Sequence, residues 1–170
     1  MAVLLGTLTT GGAGDLFNAL DVTVTRRQAS ASGNVDTMRG VFTSSPGASV
    51  TFVIYADSAS APAGLLGKGA GVAVTVGTVS DTLLVPVAVT SGTFYWVGFW
   101  ATGATVNLTD ATPGGYQGRS GQASIPDPFG TLSFSDATNS LPVTGEDTGL
   151  SGGTGSGPVS TFDPIPFMGR

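Results

Sequence analysis

The chain is 170 residues long, enough for one domain with a single core, and its 27 glycines and 10 prolines point to many short elements and turns. Its charged fraction of 10% and net charge of −5 are those of neither an ordinary disordered chain nor a nucleic-acid binder, since the six Lys and Arg are scattered without a basic patch. Cysteine and histidine are absent, which excludes disulfides, thiol nucleophiles, the usual zinc sites and a Ser-His-Asp arrangement.

Residues 1–20 open with apolar Val3, Leu4, Leu5 and Leu8, pass Gly11, Gly12 and Gly14, and return to Leu16, Phe17 and Leu20. The glycines interrupt any regular element. The segment reads as an N-terminal arm, with an edge strand and an arm laid on a neighbouring subunit both open. It lacks the basic start and long apolar run of a signal peptide, so the chain is expected to be made in a cytoplasm without a cleaved leader. No stretch approaches transmembrane length, and no membrane partner is expected.

The β domain is expected over residues 21–147. Asp21-Val-Thr-Val-Thr-Arg26 alternates as a half-buried strand with Val22 and Val24 inward and Thr23 and Thr25 outward. Ser30 to Asp36 reads as a turn, Val41-Phe-Thr43 as a short strand. Ser49 to Ala56 is a strong strand, with Val50, Phe52 and Ile54 on one face and Thr51, Val53 and Tyr55 on the other. Asp57 to Gly64 reads as a long turn, and Val72, Val74 and Val76 alternate as a further strand. Leu83-Leu-Val-Pro-Val87 follows, its proline confining it to an edge or to a position without a ladder bond.

Thr93-Phe-Tyr-Trp-Val-Gly-Phe-Trp-Ala101 is the most aromatic run. Tyr95, Val97 and Phe99 share one face, and Phe94, Trp96, Gly98 and Trp100 the other, so this strand is central and covered on both sides. Thr105 to Leu108 is a short strand, and Gly114 to Asp127 a loop that presents Tyr116. Phe129 to Phe134 and Ser140 to Thr144 close the set. No segment keeps a helical period over several turns. Short strands separated by turns predict an all-β chain, an antiparallel β-sandwich of jelly-roll type with extended N- and C-terminal arms.

Residues 148–170 read as a Gly/Ser linker followed by an extended apolar tail. Pro164 and Pro166 hold it extended, and Phe162, Ile165, Phe167 and Met168 are its candidate assembly contacts.

Between about Met38 and Thr144 the chain resembles a family of jelly-roll β-sandwich domains found in phage structural proteins and bacterial surface or secreted proteins. The residues that carry this are Val53-Ile-Tyr-Ala-Asp57, Pro62-Ala-Gly-Leu-Leu66, Val85 to Phe99 with its Gly-Thr-Phe-Tyr-Trp core, and Ile125-Pro-Asp-Pro-Phe-Gly130. The domains it resembles look like non-catalytic carbohydrate-binding modules. The resemblance implies a sandwich and leaves ligand and role open.

Candidate chemistry is sparse. Asp57 and Asp81 sit beside turns, where capping competes with a share in a calcium site; without an Asp-x-Asp-x-Asp cluster, capping is favoured, and no metal or cofactor is expected. The only glutamate, Glu146, adjoins Asp147 without the partner that glycoside hydrolysis requires, so no catalytic residue is assigned. Trp96 and Trp100 share a face on which sugar rings could stack, though core packing is favoured there; Trp100, and Tyr116 in its loop, are the candidate glycan contacts. Asn107-Leu-Thr109 matches the N-glycosylation pattern only at the level of chance. The expectation is a non-enzymatic virion protein assembled in a host cytoplasm, a phage capsid decoration (cement) protein or a tail or fibre component. Its expected partners are copies of itself, in a trimer, and a major capsid or other virion protein. A carbohydrate-binding module for surface glycans is the alternative.

Overall fold

The computed structural model describes residues 1–11, 14–109 and 114–149. They form thirteen strands and no helix: β1 (Ala2–Gly6), β2 (Gly14–Phe17), β3 (Val22–Gln28), β4 (Gly33–Ser44), β5 (Ser49–Ser58), β6 (Ala61–Lys68), β7 (Val72–Ala73), β8 (Gly77–Val89), β9 (Phe94–Thr102), β10 (Val106–Thr109), β11 (Tyr116–Arg119), β12 (Phe134–Asp136) and β13 (Val143–Asp147). All pairings are antiparallel and fall into two sheets. The chain is therefore all-β, an arrangement consistent with the expected sandwich. The assembly contacts expected at Phe162, Ile165, Phe167 and Met168 lie outside the described residues.

In the first sheet, β4 pairs along one side with β8 and along the other with β13 and then β10. β1 pairs with β13 and β2 with β10, so β1 and β2 lie in line as one interrupted edge strand. Of the readings open for this segment, the edge strand is the one seen: β1 and β2 are built into the sheet, with Leu4, Leu5 and Phe17 buried in the core. Both positions expected to suit the Pro86 strand are met: among the described residues β8 pairs in the sheet only with β4, apart from a single bridge between Leu83 and Gly69, and Pro86 falls in the register shift between Val87 and Thr82, opposite no residue of β4.

The second sheet runs β12-β11-β3-β9-β5-β6, with β7 also on β5. β9 lies between β3 and β5, as its two apolar faces require. Tyr95, Val97 and Phe99 pack with Val50, Phe52, Ile54, Phe42 and Leu108 in the core between the sheets. Trp96 packs on the outer face with Val22, Val24, Val53, Tyr55 and Phe129. Residues 120–133 cover that face: Phe129 is fully buried, its ring edge-on to Tyr55 at 5.1 Å, and the Tyr55 hydroxyl donates to the Pro126 carbonyl at 2.8 Å.

This second core corrects the expected facing of β3. Thr23 and Thr25 pair with Phe99 and Val97 and point between the sheets, whereas Val22 and Val24 lie under the covering segment. Thr25 is tolerated inside because its Oγ1 donates to the Gly115 carbonyl at 2.7 Å. Three further expectations are corrected. The long turn at Asp57–Gly64 is a tight β5–β6 hairpin, whose central residues Ala59 and Ser60 take φ of 49° and 65°, the sign that two-residue I′ turns need. Of the Val72–Val76 alternation only Val72–Ala73 pairs, and Val76 is 76% exposed. Tyr116 belongs to a strand, β11, and not to a loop.

Candidate functional site

A cleft of about 260 Å³ with convergent polar groups lies at the mouth between the sheets. The end of β2 brings Leu16 and Phe17, and the turn into β3 brings Asn18 and Asp21. The opposite wall is Tyr116 and Ser120 from β11 and its continuation, with Phe134 from β12. These side chains meet because β2 edges one sheet while β11 and β12 edge the other.

The walls are aromatic. Phe17 stands edge-on to Tyr116 at 5.2 Å, and Tyr116 stands edge-on to Phe134 at 6.3 Å. Phe17 also meets Phe99 of the central strand at 5.7 Å, which fixes the floor to the core. Phe134 lies across Gly118, where a Cβ would fall 2.0 Å from the ring, so only glycine permits this wall. The polar rim is set by the turn. The Asn18 amide donates to Asp21 Oδ2 at 2.9 Å, the Asp21 amide to the Asn18 carbonyl at 3.1 Å, and Leu20 between them takes a φ of 71°. Asp21 is only 4% exposed, and Leu16 on the rim is 67% exposed. The site can therefore hold a small group with an apolar face and a polar or cationic edge.

The sequence candidates separate. Tyr116 lines the cleft. Trp100 does not; it packs beneath the covering segment, and its Nε1 donates to the Gln122 carbonyl at 3.1 Å. Trp96 is 4% exposed and its Nε1 donates to Asp57 Oδ1 at 2.8 Å. Asp57 also takes Arg26 Nε and Nη2 at 2.7 and 2.8 Å, and the Arg26 guanidinium carbon sits 3.9 Å from the centre of the Phe94 ring. The bonded guanidinium holds the Asp57 carboxyl below its ordinary range. Asp81 accepts the amides of Ala70 and Gly71 at 3.2 and 3.1 Å, and so ties the β6–β7 connection to β8. Both aspartates thus cap or pair.

Glu146 and Asp147 are successive on β13 and point to opposite faces. Glu146 lies 3.4 Å from Arg39, while Asp147 accepts the amides of Asn34 and Gly149. They form no acid–base pair across a shared site. Among the described residues no three His, Cys, Asp or Glu side chains group as metal ligands. The cleft escapes sequence reading because Leu16, Asn18, Tyr116 and Phe134 are scattered along the chain. The one available signal was Tyr116, an aromatic among small polar residues. Comparison with family models, with curated proteins and with solved structures finds no match.

Proposed function

We propose that the chain is a structural protein of a virus particle, a decoration (cement) protein of a phage head with a jelly-roll β-sandwich body. It attaches through its terminal segments to the shell and to sister copies, in a closed trimer. The observation that carries this reading is the terminal edge of the first sheet. Among the described residues β1 and β2 have no strand beyond them, and Asp147 of the adjacent β13 lies opposite Ala2, so both ends of the described chain leave beside that edge. Met1, Val3 and Leu16 are 53%, 50% and 67% exposed there. Ser30 meets the Val3 and Leu4 carbonyls at one point of this edge, and the rest of an apolar sheet edge is a surface that another subunit covers. The low charge and the proline-spaced apolar tail agree with this role.

The test is sedimentation velocity of the full chain beside a Val3→Lys, Leu16→Lys variant. Both positions are exposed, so the variant is expected to keep its fold and lose its oligomer. An unchanged oligomer, or a monomer in both, counts against the edge as the contact. A second reading, a non-catalytic carbohydrate-binding module or a tail or fibre component contacting host-surface glycans, is favoured by the aromatic walls and polar rim of the cleft.

A further inference from the structure

We propose that the cleft between β2 and β11 is the receptor for this chain's own C-terminal segment, residues 161–168, exchanged between copies in the assembly. The inference rests on the structural-protein reading and names the surface that receives the tail.

Cleft size favours a peptide side chain. Pockets for drug-sized ligands span about 300–1,000 Å³, and about 260 Å³ walled by Phe17, Tyr116 and Phe134 takes one or two apolar side chains more readily than a run of sugar rings. The segment Phe162-Asp-Pro-Ile-Pro-Phe-Met168 has the matching chemistry. Prolines favour the polyproline II conformation, in which every third residue shares an edge, spaced about 9 Å apart. Phe162, Ile165 and Met168 fall on that edge. Peptides of this kind dock in aromatic-lined grooves at low entropic cost, because their bound shape is already favoured.

Charge agrees as well. Asp21 sits in the cleft with a backbone amide, not a basic side chain, as the bonding partner of its Oδ2. Arg170, two residues after Met168, brings the missing cation.

Reach permits the contact. Glu146 lies opposite Thr37 of β4, and Asn107, which Leu16 also opposes, lies opposite Ser44. The end of β13 and the cleft are therefore separated along β4 by seven residues, about 23 Å. The thirteen residues from Gly149 to Thr161 span up to about 43 Å, and a Gly-rich chain of that length has a mean end-to-end distance of about 20 Å. One linker thus reaches the cleft of its own copy or that of a neighbour held beside it, which is the condition for exchange.

The experiment titrates a peptide of residues 160–170 into the full chain carrying Phe162→Ala and Ile165→Ala, so that the resident tail does not compete. Calorimetry is expected to give saturable binding, with amide shifts at Leu16, Asn18 and Ser120 by NMR. Leu16→Arg and, separately, Ser120→Arg, both at exposed rim positions, are expected to weaken it at least tenfold while the native spectrum persists. No saturation at millimolar peptide, or equal binding to both Arg variants, overturns the proposal. So does a glycan panel that binds the cleft while the peptide does not. If the peptide fails but the full chain still multimerises, the cleft assignment falls and the structural reading stands. If the peptide binds while the full chain stays monomeric, the cleft assignment stands and the structural reading falls.

Discussion

Replacing Asp57 by Ala tests whether the second core, on the outer face of β9, is held by a polar network as well as by packing. Asp57 joins β5 to β3 and β9, accepting two bonds from Arg26 and one from the Trp96 indole. The two charged side chains are 31% and 14% exposed, so their pairing is worth about 1 kcal/mol, the upper end for a bidentate pair near solvent. The larger loss is at Trp96, which is 4% exposed and would keep a buried N–H without an acceptor, at about 1–3 kcal/mol. The expected sum is about 3 kcal/mol, a fall of about 6–12 °C in a domain of this size.

Asp57→Asn separates the two contributions. It keeps an acceptor for the indole and loses the charge and the second oxygen that accepts from Arg26 Nη2, so it should cost about 1 kcal/mol. Urea unfolding followed by tryptophan emission at pH 7, with m unchanged, reads both variants. Because the folded carboxyl titrates below its ordinary value, its contribution is fully present above about pH 4 and is lost as pH falls through the depressed folded value. The deficit of Asp57→Asn should therefore shrink in that acid window. Equal losses for Ala and Asn, or a loss below about 1 kcal/mol for Ala, would refute the assignment of the indole bond as the dominant contribution.

Other consequences follow from single contacts. Gly98→Ala places a Cβ 1.9 Å from the Thr23 carbonyl oxygen, forcing β3 and β9 apart; a loss of about 3 kcal/mol or more is expected by thermal unfolding. Tyr55→Phe leaves the Pro126 carbonyl without its 2.8 Å donor, costs about 1 kcal/mol, and should speed hydrogen exchange across residues 120–133 with little change in β5. The Asp136 carboxyl accepts the amides of Thr138 and Asn139 and is held down to about 2. An NMR titration should find its midpoint there, with any stabilisation present above the ordinary carboxyl range and lost as pH falls through about 2.

The sequence was most legible where alternation and burial agreed. The two faces of β9 and of β5 follow from their side chains, because each strand is covered on both sides and no other placement hides Trp96, Phe99, Phe52 and Tyr55 together. Alternation misleads at β3, where valine faces the smaller core and threonine the larger; for Thr25 a hydroxyl bond to Gly115, 90 residues away, makes the exchange tolerable. The β5–β6 hairpin was hidden because Ala59 and Ser60 adopt positive φ without the Asn or Gly that usually marks such a turn. β4 is less legible, because Gly33-Asn34 signals a turn and leaves only Val41–Thr43 as a strand. Within it Gly40 is a packing position, where a Cβ would sit 3.0–3.1 Å from the rings of Phe42 and Phe52. The cleft depended on which strands edge which sheet, information that no local pattern holds.

The most direct test of the assembly account is the absolute mass by light scattering of the full chain and of a chain ending at Gly149, which retains every described strand. The account predicts a multiple of the chain mass, a trimer, for the first and a folded monomer for the second. Folded monomers of equal stability in both would contradict it.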